Sequence, residues 1–254
     1  MAKERDRQRV LVTAGAAGIG LAVAERFLDA GAEVLVCDID DGALAAAAKL
    51  PGAHCDVADP VQVARLFERV TDEMGGLDVL VNNAGIGGGT SLIEDIGDEA
   101  WQRTLDVNLS GMFYCLREAV PAMKAQGSGA VINISTASVR TGLPGRLPYV
   151  ASKQGVMGLT LNAARELGPA NIRCNAILPG LIDNARGRDL VAERAAREGI
   201  SAGEAEQDYL NYVSMRCWID PAEVGDLAVF LASHQARHIS GQFIAVDGHM
   251  EWER

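Results

Sequence analysis

Tyr149 and Lys153 are four residues apart in Tyr149-Val150-Ala151-Ser152-Lys153, at the head of a stretch (149–167) whose apolar spacing predicts a helix. One helical turn places such residues on a single face. An ammonium beside a phenol stabilises the phenolate and draws the tyrosine pKa down from about 10. A tyrosine so poised exchanges a proton with an alcohol near neutral pH. The pair alone is a weak signal, because residues four apart also occur on solvated helix faces. It gains weight from what the rest of the chain must place beside it.

The other end of the chain carries a nucleotide motif. After the first apolar run comes Thr13-Ala14-Gly15-Ala16-Ala17-Gly18-Ile19-Gly20, and then a helical pattern. Glycines at 15, 18 and 20 permit a tight turn and let the backbone, with Ile19, approach a pyrophosphate at a helix N-terminus. The spacing Gly-x-x-Gly-x-Gly differs from the usual dinucleotide fingerprint, so its context matters. The second strand ends at Asp38, eighteen residues past Gly20. A carboxylate there bonds ribose hydroxyls and repels a 2′-phosphate. No Arg or Lys lies in residues 14–17 or directly after Asp38 to receive one, so NAD is expected over NADP. The plain alternative for Asp38 is a helix N-cap. Asp56 and Val57 after the third strand, and Asn83, Ala84 and Gly85 after the fourth, fall at the sheet edge where open α/β folds bind ligands.

These pieces need a frame. Short apolar runs at 10–13, 33–37, 53–56, 77–81, 130–135, 172–177 and 242–246 alternate with helical patterns at 18–30, 41–49, 60–74, 99–125, 149–167 and 221–233. That alternation predicts a parallel sheet with helices on both faces. At 254 residues, 48% hydrophobic and only 5% aromatic, the chain fits one α/β domain spanning 1–254. Residues 183–217 are charged and helical in pattern. They follow a strand's carboxyl end, where a substrate lid belongs, although a surface helical pair serving only packing gives the same pattern.

A net charge of −11 argues against nucleic-acid or anionic-membrane partners. No run of 18 apolar residues and no leader-like apolar run at the start are present, so a cytoplasmic protein is expected. Cys37, Cys55, Cys115, Cys174 and Cys217 are scattered, without Cys-x-x-Cys, and read as reduced thiols. His234 and His238 alone approach metal spacing and read as surface residues, so no metal is expected.

Taken in order, the motifs resemble the short-chain dehydrogenase/reductase family. The resemblance runs from Val10 to Gly248 and includes the glycine loop, Asp38, Asp56, Asn82-Asn83-Ala84-Gly85, Asn108, Asn133-Ile134-Ser135, Tyr149-x-x-x-Lys153, Pro179-Gly180, Ser240-Gly241-Gln242 and Asp247-Gly248. It implies a doubly wound Rossmann fold with a seven-stranded sheet, and an NAD(P)-dependent oxidoreductase. Tyr149 then becomes the general acid/base. Lys153 lowers its pKa and binds the nicotinamide ribose, and Asn108 holds a water in a proton relay. Pro179, Gly180 and Ile182 join the cofactor contacts. The family's first loop glycine falls at Ala14, so that turn must accept a methyl group. Its catalytic serine falls at Thr136, with Ser135 and Ser138 as alternative hydroxyls. Similar proteins are homotetramers, and Trp252 is placed at a subunit interface or a neighbour's pocket.

Arg140 and Arg146 lie between the catalytic hydroxyl and Tyr149, and Arg186 and Arg188 open the lid. Guanidinium matches a carboxylate bidentately, which points to an acidic substrate such as a 2-keto-3-deoxy sugar acid or a hydroxy acid. The contacts expected are Thr136, Ser138, Arg146, Tyr149 and Arg186. Solvated charges or interface ion pairs are the plain alternative. Competing readings are an NADPH-dependent 3-oxoacyl reductase, a dehydrogenase of neutral sugars or polyols, a relative diverted to epimerisation or elimination, and a non-catalytic nucleotide sensor.

Overall fold

A computed structural model describes residues 7–250. Seven strands form one parallel sheet: β1 (Arg9–Thr13), β2 (Glu33–Asp38), β3 (Gly52–His54), β4 (Val79–Asn82), β5 (Gly129–Ile134), β6 (Ile172–Pro179) and β7 (Phe243–Val246). Their spatial order is β3-β2-β1-β4-β5-β6-β7, with every pairing parallel. The chain winds outward from β1 in one direction and from β4 in the other. The sheet is therefore doubly wound, with its reversal between β1 and β4, where such sheets open a crevice at the strands' carboxyl ends.

The near-continuous apolar strands are explained by a sheet covered on both faces. Leu11, Leu35, Leu80 and Val131 point to one side, into a core shared with α3 (Pro60–Met74) and α5 (Gly111–Gln126). Val10, Val12, Val34, Val36, Val79 and Val81 point to the other, against α1 (Gly18–Asp29) and α10 (Pro221–Ala232). The period of two along each strand sorts the side chains between these cores. Helix starts follow local chemistry. Asp40 caps α2 (Asp41–Ala46), Asp59 precedes Pro60 of α3, and Asp220 with Glu223 forms a capping box on α10. Cys37, Cys55, Cys115 and Cys174 are buried free thiols, and Cys217 is half-buried. No helix among the described residues is long and apolar enough to cross a membrane.

Several boundaries differ from the sequence reading. The third strand stops at His54, so Asp56 lies in the turn before α3. The fourth begins at Val79, because Asp78 turns its carboxylate onto the Arg9 backbone and guanidinium. The single helix expected over 99–125 is α4 (Asp98–Leu105) and α5 joined by a π-helical turn, Asp106–Ser110. Apolar periodicity does not register one wide turn within a continuous rod. The helix expected from Tyr149 begins earlier, as α7 (Leu147–Leu167) with Pro148 in its first turn, and a short α6 (Ser138–Thr141) precedes it.

The segment 183–217 contains α8 (Ala185–Glu198) and α9 (Ala202–Asn211). Trp218 packs against Leu181 and Val213 on one side and Val191, Ala195 and Ala205 on the other. Its indole N–H donates to Glu206 at 2.6 Å, and Arg188 stacks on its ring at 3.9 Å. Trp218 is thus part of the lid's own core. Trp252 lies outside the described residues.

Candidate active site

Helix α7 carries Tyr149 and, one turn on, a buried Lys153. The lysine Nζ donates to the carbonyl of Ile134, the last residue of β5, at 2.7 Å. Burial, aided by the nearby charge of Arg186, lowers its pKa from about 10.5 to about 7. Asn108 occupies the π turn and is fully buried. Its amide accepts from Ile86 N at 2.7 Å, and donates to Ile86 O and Ser152 Oγ, both at 2.9 Å. Ser152 in turn donates to the Tyr149 carbonyl at 2.7 Å. Asn108 therefore ties the loop after β4 to the first turns of α7, and π turns are often found where a helix serves a site.

Three hydroxyls follow β5. Ser135 donates to the Lys153 carbonyl at 3.1 Å, which commits its proton to the α7 backbone. Thr136 lines the cleft, and Ser138 is buried behind it, 3.4 Å from the threonine hydroxyl. Among the three, Thr136 is the hydroxyl that both faces the cleft and is not bonded to main chain as a donor.

The cleft has a volume of about 520 Å3 and runs along the carboxyl edge of the sheet. Tyr149, Lys153, Thr136, Gly85, Pro179, Gly180 and Ile182 line one reach of it; Gly18, Ile19, Asp38 and Asn83 line the other. Ala17 starts α1 in extended conformation and supplies no side-chain cap, so the first N–H groups of that helix face the cleft without a protein side-chain acceptor. That is a ready anion seat. Close packing fixes the loop's shape: a Cβ added at Gly20 would lie 2.0 Å from the Ala14 carbonyl oxygen. Ala14 itself adopts φ 48°, the left-handed region where its methyl group is strained. Asn83 bridges the strand ends by donating to the carbonyls of Thr13 and Ala14, both at 3.0 Å.

Asp38 accepts from Ala16 N and Asp40 N, both at 3.2 Å, and so fastens β2 to the glycine loop. The N-cap of α2 is Asp40, not Asp38. Other expected residues stand away from the cleft wall. Asp56 pairs with Arg103 at 2.9 Å and caps its own turn through Ala58 N. Val57 packs beneath Gly111 of α5, Ala84 is buried with its N–H on Thr13 Oγ1, and Gly15 and Gly20 shape the turn from behind.

The four arginines separate into two kinds. Arg188 pairs with Asp183 and Glu206 within the lid, and Arg140 approaches Asp247 at 3.7 Å. Arg146 and Arg186 instead converge on the Tyr149 ring, with guanidinium carbons 5.5 and 5.7 Å from its centroid. The sequence reading does not single out Asn184, Ser152 or Leu190. Asn184 caps α8 through Gly187 N at 2.9 Å and comes within 3.6 Å of a Cβ position at Gly18, spanning the cleft. An Asn just before a helical pattern is a readable cap signal. Ser152 sits inside the Tyr149–Lys153 motif itself. Leu190 lines the cleft through tertiary placement alone.

Residues 14–250 match the family model described as enoyl-(acyl carrier protein) reductase. The 3-oxoacyl-[acyl-carrier-protein] reductase FabG of Thermotoga maritima is 35% identical over 246 residues, covering 94% of this chain and 95% of that protein. The chain belongs to the short-chain dehydrogenase/reductase family. It is accordingly an oxidoreductase of the alcohol dehydrogenase type. The D-beta-hydroxybutyrate dehydrogenase of Rhizobium meliloti is 31% identical, over 94% of this chain and 96% of the other. Among solved structures, a single-substitution variant of actinorhodin polyketide ketoreductase with NADPH superposes with a TM-score of 0.92, at 29% identity over 96% of this chain and 97% of that one.

Proposed function

We propose that this family member uses NAD to oxidise a secondary hydroxyl on a small, polar, acidic substrate, a sugar acid or hydroxy acid, with Tyr149 as general base. The observation that carries the reading is the shared cleft: Tyr149, Lys153 and Thr136 wall one reach, while Asp38 and the uncapped start of α1 wall the other. Nicotinamide, when bound, supplies the hydride acceptor. The residues of this chain do the rest. Thr136 hydrogen-bonds the substrate oxygen, Tyr149 takes its proton, and Lys153 holds the phenolate and a ribose hydroxyl. Asn108 keeps α7 and the loop after β4 in register and supports the proton path.

NAD is favoured by Asp38, whose carboxylate sits at the far end of the cleft beside the helix start. A 2′-phosphate near it would meet like charge. The acidic substrate follows from Arg146 and Arg186, which crowd the reacting tyrosine and lack carboxylate partners among the described residues. Asp56 and Val57 act at one remove, by shaping the turn under the adenine end. The chain is read as a cytoplasmic homotetramer without metal, nucleic acid or membrane among its partners. The half-exposed Phe113 on α5 and Leu161 on α7 are apolar surface for a subunit contact, and light scattering tests the assembly.

The deciding variant is Tyr149→Phe. It keeps the ring and removes the hydroxyl, so turnover is expected to fall at least about a thousand-fold, in the upper range for loss of a general base, while NAD affinity changes little. Retained turnover would remove Tyr149 from the mechanism.

A further inference from the structure

Arg146 is buried at 8% exposure, and its Nε makes no hydrogen bond among the described residues. No carboxylate among the described residues lies within ion-pair distance of Arg146 or Arg186. Among the described residues, the one hydrogen bond of Arg186 runs from Nη1 to the Gly85 carbonyl at 3.2 Å. The two guanidinium tips converge where a side chain is missing. A Cβ at Gly87 would lie 2.4 Å from Arg146 Nη2 and 3.2 Å from Arg186 Nη2. Guanidinium keeps its proton in proteins. Two such charges side by side, one of them desolvated, are costly unless an anion is shared between them. Other charged or titratable groups bearing on the pair are Glu193 and Tyr209 of the lid and Lys153 of α7, and none of them bridges it.

We propose that Arg146 and Arg186 form a carboxylate clamp beside Tyr149, so that the substrate is a short 2- or 3-hydroxy acid with its carboxylate one or two carbons from the reacting carbinol. This rests on the assignment of Tyr149 as the base. The reach follows from the geometry. Both guanidinium carbons lie within 5.7 Å of the tyrosine ring centre. Charge-assisted N–H···O bonds span about 2.8 Å, and the phenol–hydroxyl bond about 2.7 Å. Little room is left between carboxylate and carbinol. Gly87 makes space for the two tips, which a side chain there would displace. Arg186 rides on α8, so a clamped carboxylate also draws the lid onto the site. The clamp thus joins selection of the acid to closure over it.

The test uses both enantiomers of 2-hydroxy acids of three to six carbons and of 3-hydroxy acids of four to six, each beside its methyl ester, with polyols and neutral secondary alcohols alongside. NADH formation is measured for the intact protein, Arg146→Gln, Arg186→Gln and Arg146→Lys. An acid is expected to exceed its ester by about 1,000-fold in kcat/KM, given two charge-assisted contacts. Each Gln variant should lower the acid's kcat/KM about 30-fold more than the ester's, near the loss expected for one such contact. Arg146→Lys should recover part of the preference. Equal losses for acid and ester would make the arginines mere props for Tyr149 and overturn the clamp. Turnover confined to neutral alcohols would also overturn it while sparing the assignment of Tyr149. Absence of NADH from every alcohol would instead be failure of the proposed NAD-dependent oxidation beneath it.

Discussion

The two reaches of the cleft are built by opposite means. Around the glycine loop, backbone and small residues make the surface. Gly20 is pressed against the Ala14 carbonyl, Asn83 ties two strand ends together, and α1 offers bare N–H groups. Around Tyr149, long side chains from distant segments meet: Lys153 from α7, Asn108 from the π turn, Arg146 from the α7 cap and Arg186 from the lid. The first reach is held together by backbone contacts and short side chains. The second holds two buried cations, Lys153 and Arg146, whose desolvation costs stability. In the proposal above, choice of substrate rests on this second reach and choice of cofactor on the first.

The sharpest way to break that contrast is Lys153→Met. Catalysis should fall by about a thousand-fold or more with the phenolate's partner gone. Stability should move the other way. The unfolded chain holds the lysine proton up to about pH 10.5 and the folded one only to about 7. The unfolded state thus binds the extra proton between those values, and stability rises with pH across that window. Below pH 7 the full cost of the buried ammonium is present. Lys153→Met should therefore stabilise the protein near pH 6 by a few kcal/mol, each pKa unit being worth about 1.4 kcal/mol, and the gain should shrink toward pH 10. Denaturant melts at both pH values measure it. A destabilised variant at pH 6 would show that the lysine is no burden.

A smaller effect is expected at the glycine-loop end. Asp38→Ser removes the carboxylate proposed to repel a 2′-phosphate, and should shift the NAD-to-NADP ratio of kcat/KM by about 100-fold toward NADP, close to the worth of one charged contact in a partly closed site. An unchanged ratio would take cofactor choice away from Asp38.

The fold and the turn that shapes the glycine loop were largely legible in the sequence, because their determinants are local. Apolar runs, the 15-18-20 glycines and Asp38 announce themselves in order, and Tyr149–Lys153 is one helical turn. What was not legible depends on tertiary geometry. The π turn that seats Asn108 is invisible to a period of 3.6. Asp56 stands in a motif position yet spends its carboxylate on Arg103. Four arginines look alike in sequence, and only the fold shows that Arg140 and Arg188 face carboxylates whereas Arg146 and Arg186 face Tyr149. Ala14 is the reverse case, a departure visible in the sequence whose consequence is structural: φ 48° on a residue with a Cβ. Ala14→Gly should relieve that strain and raise stability by about 1 kcal/mol, the usual scale for a left-handed alanine. A loss of stability on thermal melting would mean that the methyl group is well housed.

The most direct test of the whole account is dinucleotide reduction by the intact protein against sugar acids, hydroxy acids, polyols and neutral secondary alcohols, each with NAD and with NADP. The expected result is NADH from acids, with NADP much the poorer partner. Reduction confined to NADP, or no reduction with any alcohol, would contradict it.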